Sequence, residues 1–89
     1  MSISFAFGQL LITPGALEIL SSVAINEALE RHGRGDWGEV CDDDKAANDQ
    51  AFSNGARLLS VYRNSTGVKF WIITEADRSA TTVLLPDEY

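Results

Sequence analysis

One cysteine, one histidine and two prolines are all that the 89 residues hold of those types. The lone Cys41 excludes an internal disulfide, and a single histidine leaves no spaced Cys/His set to bind structural zinc. Stability has to come from packing, in a chain near the lower end of sizes that close a core unaided. No apolar run approaches the roughly 18 residues of a membrane span, and Met1-Ser2-Ile3-Ser4-Phe5 lacks the basic stretch and long apolar segment of a secretory signal. A cytoplasmic protein is expected. Bases are scarce as well: 7 Lys and Arg against 13 Asp and Glu give a formal net charge of -6. That field has the wrong sign for nucleic acid or an anionic membrane, and the right sign for a basic protein surface or a cation.

The acid is local. The 14 residues from Asp36 to Asp49 carry six carboxylates and one Lys, which accounts for -5 of the total. Ahead of them, Phe5 to Ile12 is short and apolar and reads as a strand or an arm laid across the core. Thr13-Pro14 has the chemistry of a helix start, a hydroxyl to cap free amides and a preset first residue. The helix is expected to run to about Arg31, with Ala16, Leu17, Leu20, Val23, Ala24 and Ala28 forming a broad apolar arc. Glu27 and Arg31 fall four apart inside that arc, so either the core ends before the last turn or the two charges face each other beside a polar site. Gly33, Gly35 and Gly38 end the helix, with Trp37 between the last two as a core anchor. Asp43 to Phe52 predicts a short second helix with acids at its start, stopped at Asn54-Gly55.

The last third changes to a period of two. Arg57–Arg63, Val68–Thr74 and Ala80–Leu85 predict three strands joined by turns at Asn64–Gly67 and Glu75–Ser79. The sequence-level fold is a single α+β domain over residues 1–89: a three-stranded antiparallel meander packed against an N-terminal helix and a short second helix. Such a sheet has two unpaired edges, and one of them could be covered by a second copy of the chain.

Gly33-Arg34-Gly35-Asp36-Trp37-Gly38 has the spacing of a dinucleotide glycine loop, but a helix precedes it instead of a strand and acids follow it. Asp42, Asp43, Asp44 and Asp49 do not make a calcium loop. Counting from Asp42, Ala46 and Ala47 stand at the fifth and sixth positions and Ser53 where a bidentate Glu belongs. No cofactor or metal site is expected. His32, Asp36 and Glu39 are the one grouping with catalytic chemistry in it, since an imidazole beside carboxylates can move protons or ligate a metal. The structural alternative has His32 ending its helix and oriented by Asp36. Cys41 lies among carboxylates, which suppress a thiolate. Arg57, Arg63 and Lys69 either neutralise the acidic segment from the sheet or make a dipolar surface with it.

His32–Val40, Arg57–Tyr62, Trp71–Ser79 and the ending Leu84-Leu85-Pro86-Asp87-Glu88-Tyr89 together resemble a family of small, uncharacterised bacterial proteins carried on plasmids and integrated elements. Some members are labelled plasmid-related proteins or restriction-system subunits. The resemblance runs from about Phe7 to the end of the chain and transfers no catalytic residue. No methyl-donor loop or nuclease carboxylate-lysine cluster supports the restriction label. It implies a bacterial, mobile-element setting in which small acidic proteins sometimes bind host factors or imitate nucleic acid. The expected function is a protein-interaction module, with Asp36, Glu39, Asp42, Asp43 and Asp44 meeting bases on a partner and Trp37 or Trp71 supplying desolvated contact. The competing expectation is a minimal acid/base or metal-dependent enzyme centred on His32, Asp36 and Glu39.

Overall fold

A computed structural model describes residues 6–89, and only the backbone of residues 52–54. Thr13 caps the first helix as its type predicts: its Oγ1 accepts from the Ala16 amide at 3.3 Å, and Pro14 takes the first helical position. That helix, α1 (Pro14–Ile19), is brief. Leu20 turns to extended backbone, and Ser21 starts a second helix, α2 (Ser22–Gly33), by accepting from the Ala24 amide at 3.1 Å. The single helix expected to about Arg31 is therefore two. The break aims Ala16 and Leu20 from one segment, and Ile25, Ala28 and Leu29 from the other, into one core. The acidic helix, α3, spans Asp42–Asn54 and closes on Gly55 in the left-handed region at φ 74°.

The sheet corrects the predicted meander. It has four strands, β1 (Gln9–Ile12), β2 (Leu58–Arg63), β3 (Lys69–Thr74) and β4 (Ala80–Leu84), in the order β1-β4-β3-β2. The last three form the expected antiparallel run with β3 inside it, but β1 joins β4 in parallel, pairing Gln9 with Ala80 and Ile12 with Val83. Among the described residues the fold is thus a mixed four-stranded sheet with three α-helices. The segment predicted as strand or arm is a strand over Gln9–Ile12, and Met1–Phe5 lie outside the described residues. Its partner stands some seventy residues later, and Leu10-Leu11-Ile12 has no polar alternation to mark a half-buried strand.

Register assigns the faces. Leu58, Ser60, Tyr62, Phe70, Ile72, Thr74, Thr81 and Val83 share the side on which the helices lie. Leu59, Val61, Trp71, Ile73 and Leu84 share the other, where Trp71 meets the Tyr89 ring edge-on at 5.6 Å. A single turn of 3-10 helix, Pro86–Glu88, ends the chain. Its Glu88 carboxylate accepts from the Thr13 hydroxyl, and from the amides of Gly15 and Leu85 at 3.0 Å each. The C-terminus thereby caps the first helix, and the Thr13 bond holds the Glu88 carboxyl below the usual carboxylate range.

Candidate functional site

His32 carries the chemistry that a reader of the sequence would test first, and the fold places it with 0% exposure on the helix-covered face. Its Nδ1 lies 2.6 Å from Ser60 Oγ and its Nε2 2.9 Å from Thr74 Oγ1. Thr74 Oγ1 is 2.8 Å from Thr81 Oγ1, and Thr81 donates to the Phe7 carbonyl at 2.8 Å. That terminal carbonyl fixes the direction of the whole chain. It can only accept, so the Thr81 proton is spent on it; Thr74 must then donate to Thr81 and His32 Nε2–H to Thr74, and in the neutral ring that burial favours, Nδ1 is bare and accepts from Ser60. The imidazole is neutral and carries its proton on Nε2. Burial, reinforced by the Arg78 guanidinium, pushes its pKa down from 6.5 to about 3.

The sequence expectation that Asp36 orients His32 is therefore corrected: Ser60 and Thr74 do so, and Asp36 points elsewhere. Arg31 Nε and Nη2 hold the Asp36 carboxylate at 2.8 and 3.2 Å, and the same guanidinium lies 4.7 Å above the Tyr62 ring. Its hydrogen bonds keep Asp36 below the usual carboxylate range. Arg31 thus pairs with Asp36 and not with Glu27. Glu39 is engaged by Arg63 Nε at 3.0 Å. His32, Asp36 and Glu39 are each committed to a different partner, and no three His, Cys, Asp or Glu side chains gather as metal ligands among the described residues.

The glycine loop has a structural task that the sequence did not disclose. Tyr62 donates its hydroxyl proton to the Asp36 carbonyl at 2.6 Å, and its burial pushes the phenol pKa up to about 12. The loop then runs beside β2. Val61 N–H donates to the Trp37 carbonyl at 3.0 Å, and Glu39 N–H to the Val61 carbonyl at 2.7 Å. One residue pair further on, Asn48 from α3 imitates a strand: its Oδ1 accepts from the Leu59 amide at 3.1 Å and its Nδ2 donates to the Leu59 carbonyl at 2.6 Å. The outward backbone groups of Leu59 and Val61 are thus both satisfied. Asn48→Ala leaves the Leu59 pair without partners and is expected to lower stability by about 2 kcal/mol, read from urea unfolding.

The remaining predicted site residues separate into buried and displayed. Trp37 is 3% exposed, packed edge-on to His32 at 5.6 Å, and donates its indole N–H to Asp49 at 3.0 Å. It anchors the core and presents no surface to a partner. Trp71 is half-buried beside Tyr89, to whose hydroxyl Arg57 donates. Asp42, Asp43 and Asp44 are exposed in the first turn of α3, where the free amide ends favour negative charge. Cys41 just before them is exposed and makes no side-chain cap bond. Of the three sheet bases, Arg63 reaches an acid of the middle segment, and no ion pair links Arg57 or Lys69 to one among the described residues. Arg78 ties the second turn to α3 through the Ala51 carbonyl at 3.0 Å and to the segment after it through the Ala56 carbonyl at 2.8 Å.

The sequence reading missed Ser60, Thr74, Thr81 and Asn48. The first three had a signal: in their strands they alternate in phase with Leu58, Tyr62, Phe70, Ile72 and Val83, and a polar residue at an inward position needs a buried partner. No protein-family model, curated protein or solved structure matches the chain. Among the described residues no helix is long and apolar enough to cross a membrane.

Proposed function

We propose that the chain is a small protein-interaction module that offers Asp42, Asp43 and Asp44 to a basic surface on another protein. The observation that carries this reading is the division among its acids. Asp36 and Glu39 are paired with Arg31 and Arg63, whereas the three aspartates of the α3 first turn are exposed and in no ion pair among the described residues. Three adjacent carboxylates on one helix end steer a cationic partner into register and speed its arrival more than they deepen the final affinity. The setting of the proposal is the bacterial, mobile-element one implied by the resemblance to plasmid-borne proteins. The basic partner surface would be that of a host factor in the cytoplasm.

The test compares the immobilised wild-type chain with the Asp43→Lys, Asp44→Lys double variant in bacterial extract, followed by affinity measurement on each protein retained by the wild type. At least one such protein should bind about tenfold more weakly to the variant, and also to the wild type when salt rises from about 50 to about 300 mM. Circular dichroism should show the variant folded, because neither position contacts the core. Equal retention by the folded variant, or binding indifferent to salt, would sink the proposal.

A further inference from the structure

The two edges of the sheet are finished differently. At β2 the outward groups of Leu59 and Val61 are closed by Asn48 and by the Trp37–Glu39 backbone. At β1, the other end of the strand order, nothing is paired beyond the strand among the described residues. The Gln9 and Thr13 amides point inward, to the Ser79 and Val83 carbonyls, so alternation turns the amides and carbonyls of Leu10 and Ile12 outward. Leu10 and Leu11 are 46% and 42% exposed, and no charged residue occurs before Glu18. An open, neutral, apolar edge is what folded chains ordinarily block with charge, proline or a covering element.

We infer that β1 is a homodimer interface at which two copies pair antiparallel about a two-fold axis, joining their sheets into one of eight strands. The register follows from the backbone. Outward-facing residues must meet outward-facing residues, and Gly8, left-handed at φ 67°, ends the extended segment on its near side. Pairing Leu10 with Ile12 of the second copy, and Ile12 with Leu10, makes four backbone hydrogen bonds inside the regular strand. Centring the axis on Leu10 instead would call on Gly8. In the chosen register Leu11 faces Leu11 across the axis as a non-hydrogen-bonded pair, the three central pairs are apolar, and Gln9 meets Thr13 of the second copy at each flank.

Charge singles out a second copy as the occupant. The acidic α3 packs against β2, at the far edge from β1. With strands about 4.8 Å apart, the two acidic helices of the dimer lie roughly 30 Å apart, several Debye lengths at physiological salt. Two chains of charge -6 can thus meet at an edge strand that itself carries no charge, the Glu88 carboxylate at Thr13 lying at the end of the strand. Because the β2 edge is closed, assembly stops at two instead of continuing as a filament.

Sedimentation of the full chain from about 10 µM to about 1 mM should show the mass rising toward twice the 9.7 kDa of one chain. Leu10→Pro removes an outward amide and no bond to β4, so it should stay monomeric while keeping its circular dichroism and thermal transition. A chain monomeric throughout, including one whose edge is filled by residues 1–5, would overturn the inference, as would a dimer that persists in folded Leu10→Pro. If that variant fails to fold, cysteine cross-linking in a Cys41→Ser background decides. Leu11→Cys places two Cα atoms about 4.5 Å apart, within disulfide reach, and should cross-link. Gln9→Cys, on the same strand face, places them about 14 Å apart and should not. Equal cross-linking at both positions, or none at either, contradicts the register and the dimer with it.

Discussion

His32→Ala is expected to lower the stability of the domain by about 3–5 kcal/mol, the largest effect of any single side-chain truncation considered. Two causes act together. Removing the imidazole empties space in a core where Trp37 and Phe7 touch its ring at centroid distances of 5.6 and 6.0 Å. It also strands Ser60, whose proton has Nδ1 as its acceptor, and takes a donor from Thr74 in a site where both hydroxyls are fully buried. Domains of this size are stable by only about 5–15 kcal/mol in total, so a large share of the variant population would be unfolded on warming. Thermal unfolding at neutral pH checks it.

The same residue gives the domain a particular pH dependence. Folding lowers the imidazole pKa from 6.5 to about 3. The unfolded chain therefore takes up a proton over that interval that the folded chain refuses. The contribution is complete above pH 6.5 and is lost as the pH falls toward 3, at a limiting slope of about 1.4 kcal/mol per pH unit. Asp36, Asp77 and Glu88 have folded pKa values below their usual ones, so their contributions are present above about pH 4 and disappear below it. Between about pH 6.5 and 5 the slope belongs to His32, and it should vanish in His32→Gln.

Gly38→Ala should destabilise by about 3 kcal/mol although it adds a single methyl group. Gly38 stands at φ 74°, where an L side chain is strained, and a Cβ there would come within 2.0 Å of the Val61 carbonyl oxygen. That oxygen accepts from the Glu39 amide, so relief by moving the loop away breaks the bonds that close the β2 edge. Urea unfolding should show the loss, and light scattering should show assembly beyond the wild-type dimer as the second edge opens. A variant as stable and as dispersed as the parent would mean that the loop does not close this edge.

These two positions mark what the sequence disclosed and what it withheld. The helix start at Thr13, the second helix to within a residue of its Asp42 start, the left-handed stop at Gly55 and the three antiparallel strands were legible because each is written in neighbouring residues. The break at Leu20-Ser21 was also local, and the long apolar arc across it concealed it. The pairing of β1, which the sequence offered as strand or arm, was hidden because its partner lies far along the chain. The grouping of His32, Asp36 and Glu39 illustrates the opposite error: nearness in sequence suggested a shared site, while the helix turned the imidazole toward the sheet and the loop gave each carboxylate an arginine. Exposed Asp42, Asp43 and Asp44 retain the charge that the composition announced. Ser60, Thr74 and Thr81 were legible in principle, as polar residues in phase with the inward apolar set.

Nitrogen NMR of the His32 ring tests most directly whether its chemistry is committed to the sheet. The hydrogen-bond chain from Ser60 to the Phe7 carbonyl requires a neutral imidazole with the proton on Nε2 and shifts that stay constant from about pH 7.5 down to about 5. A ring that titrates near 6.5, or that carries its proton on Nδ1, would contradict this and reopen His32 as a reactive group.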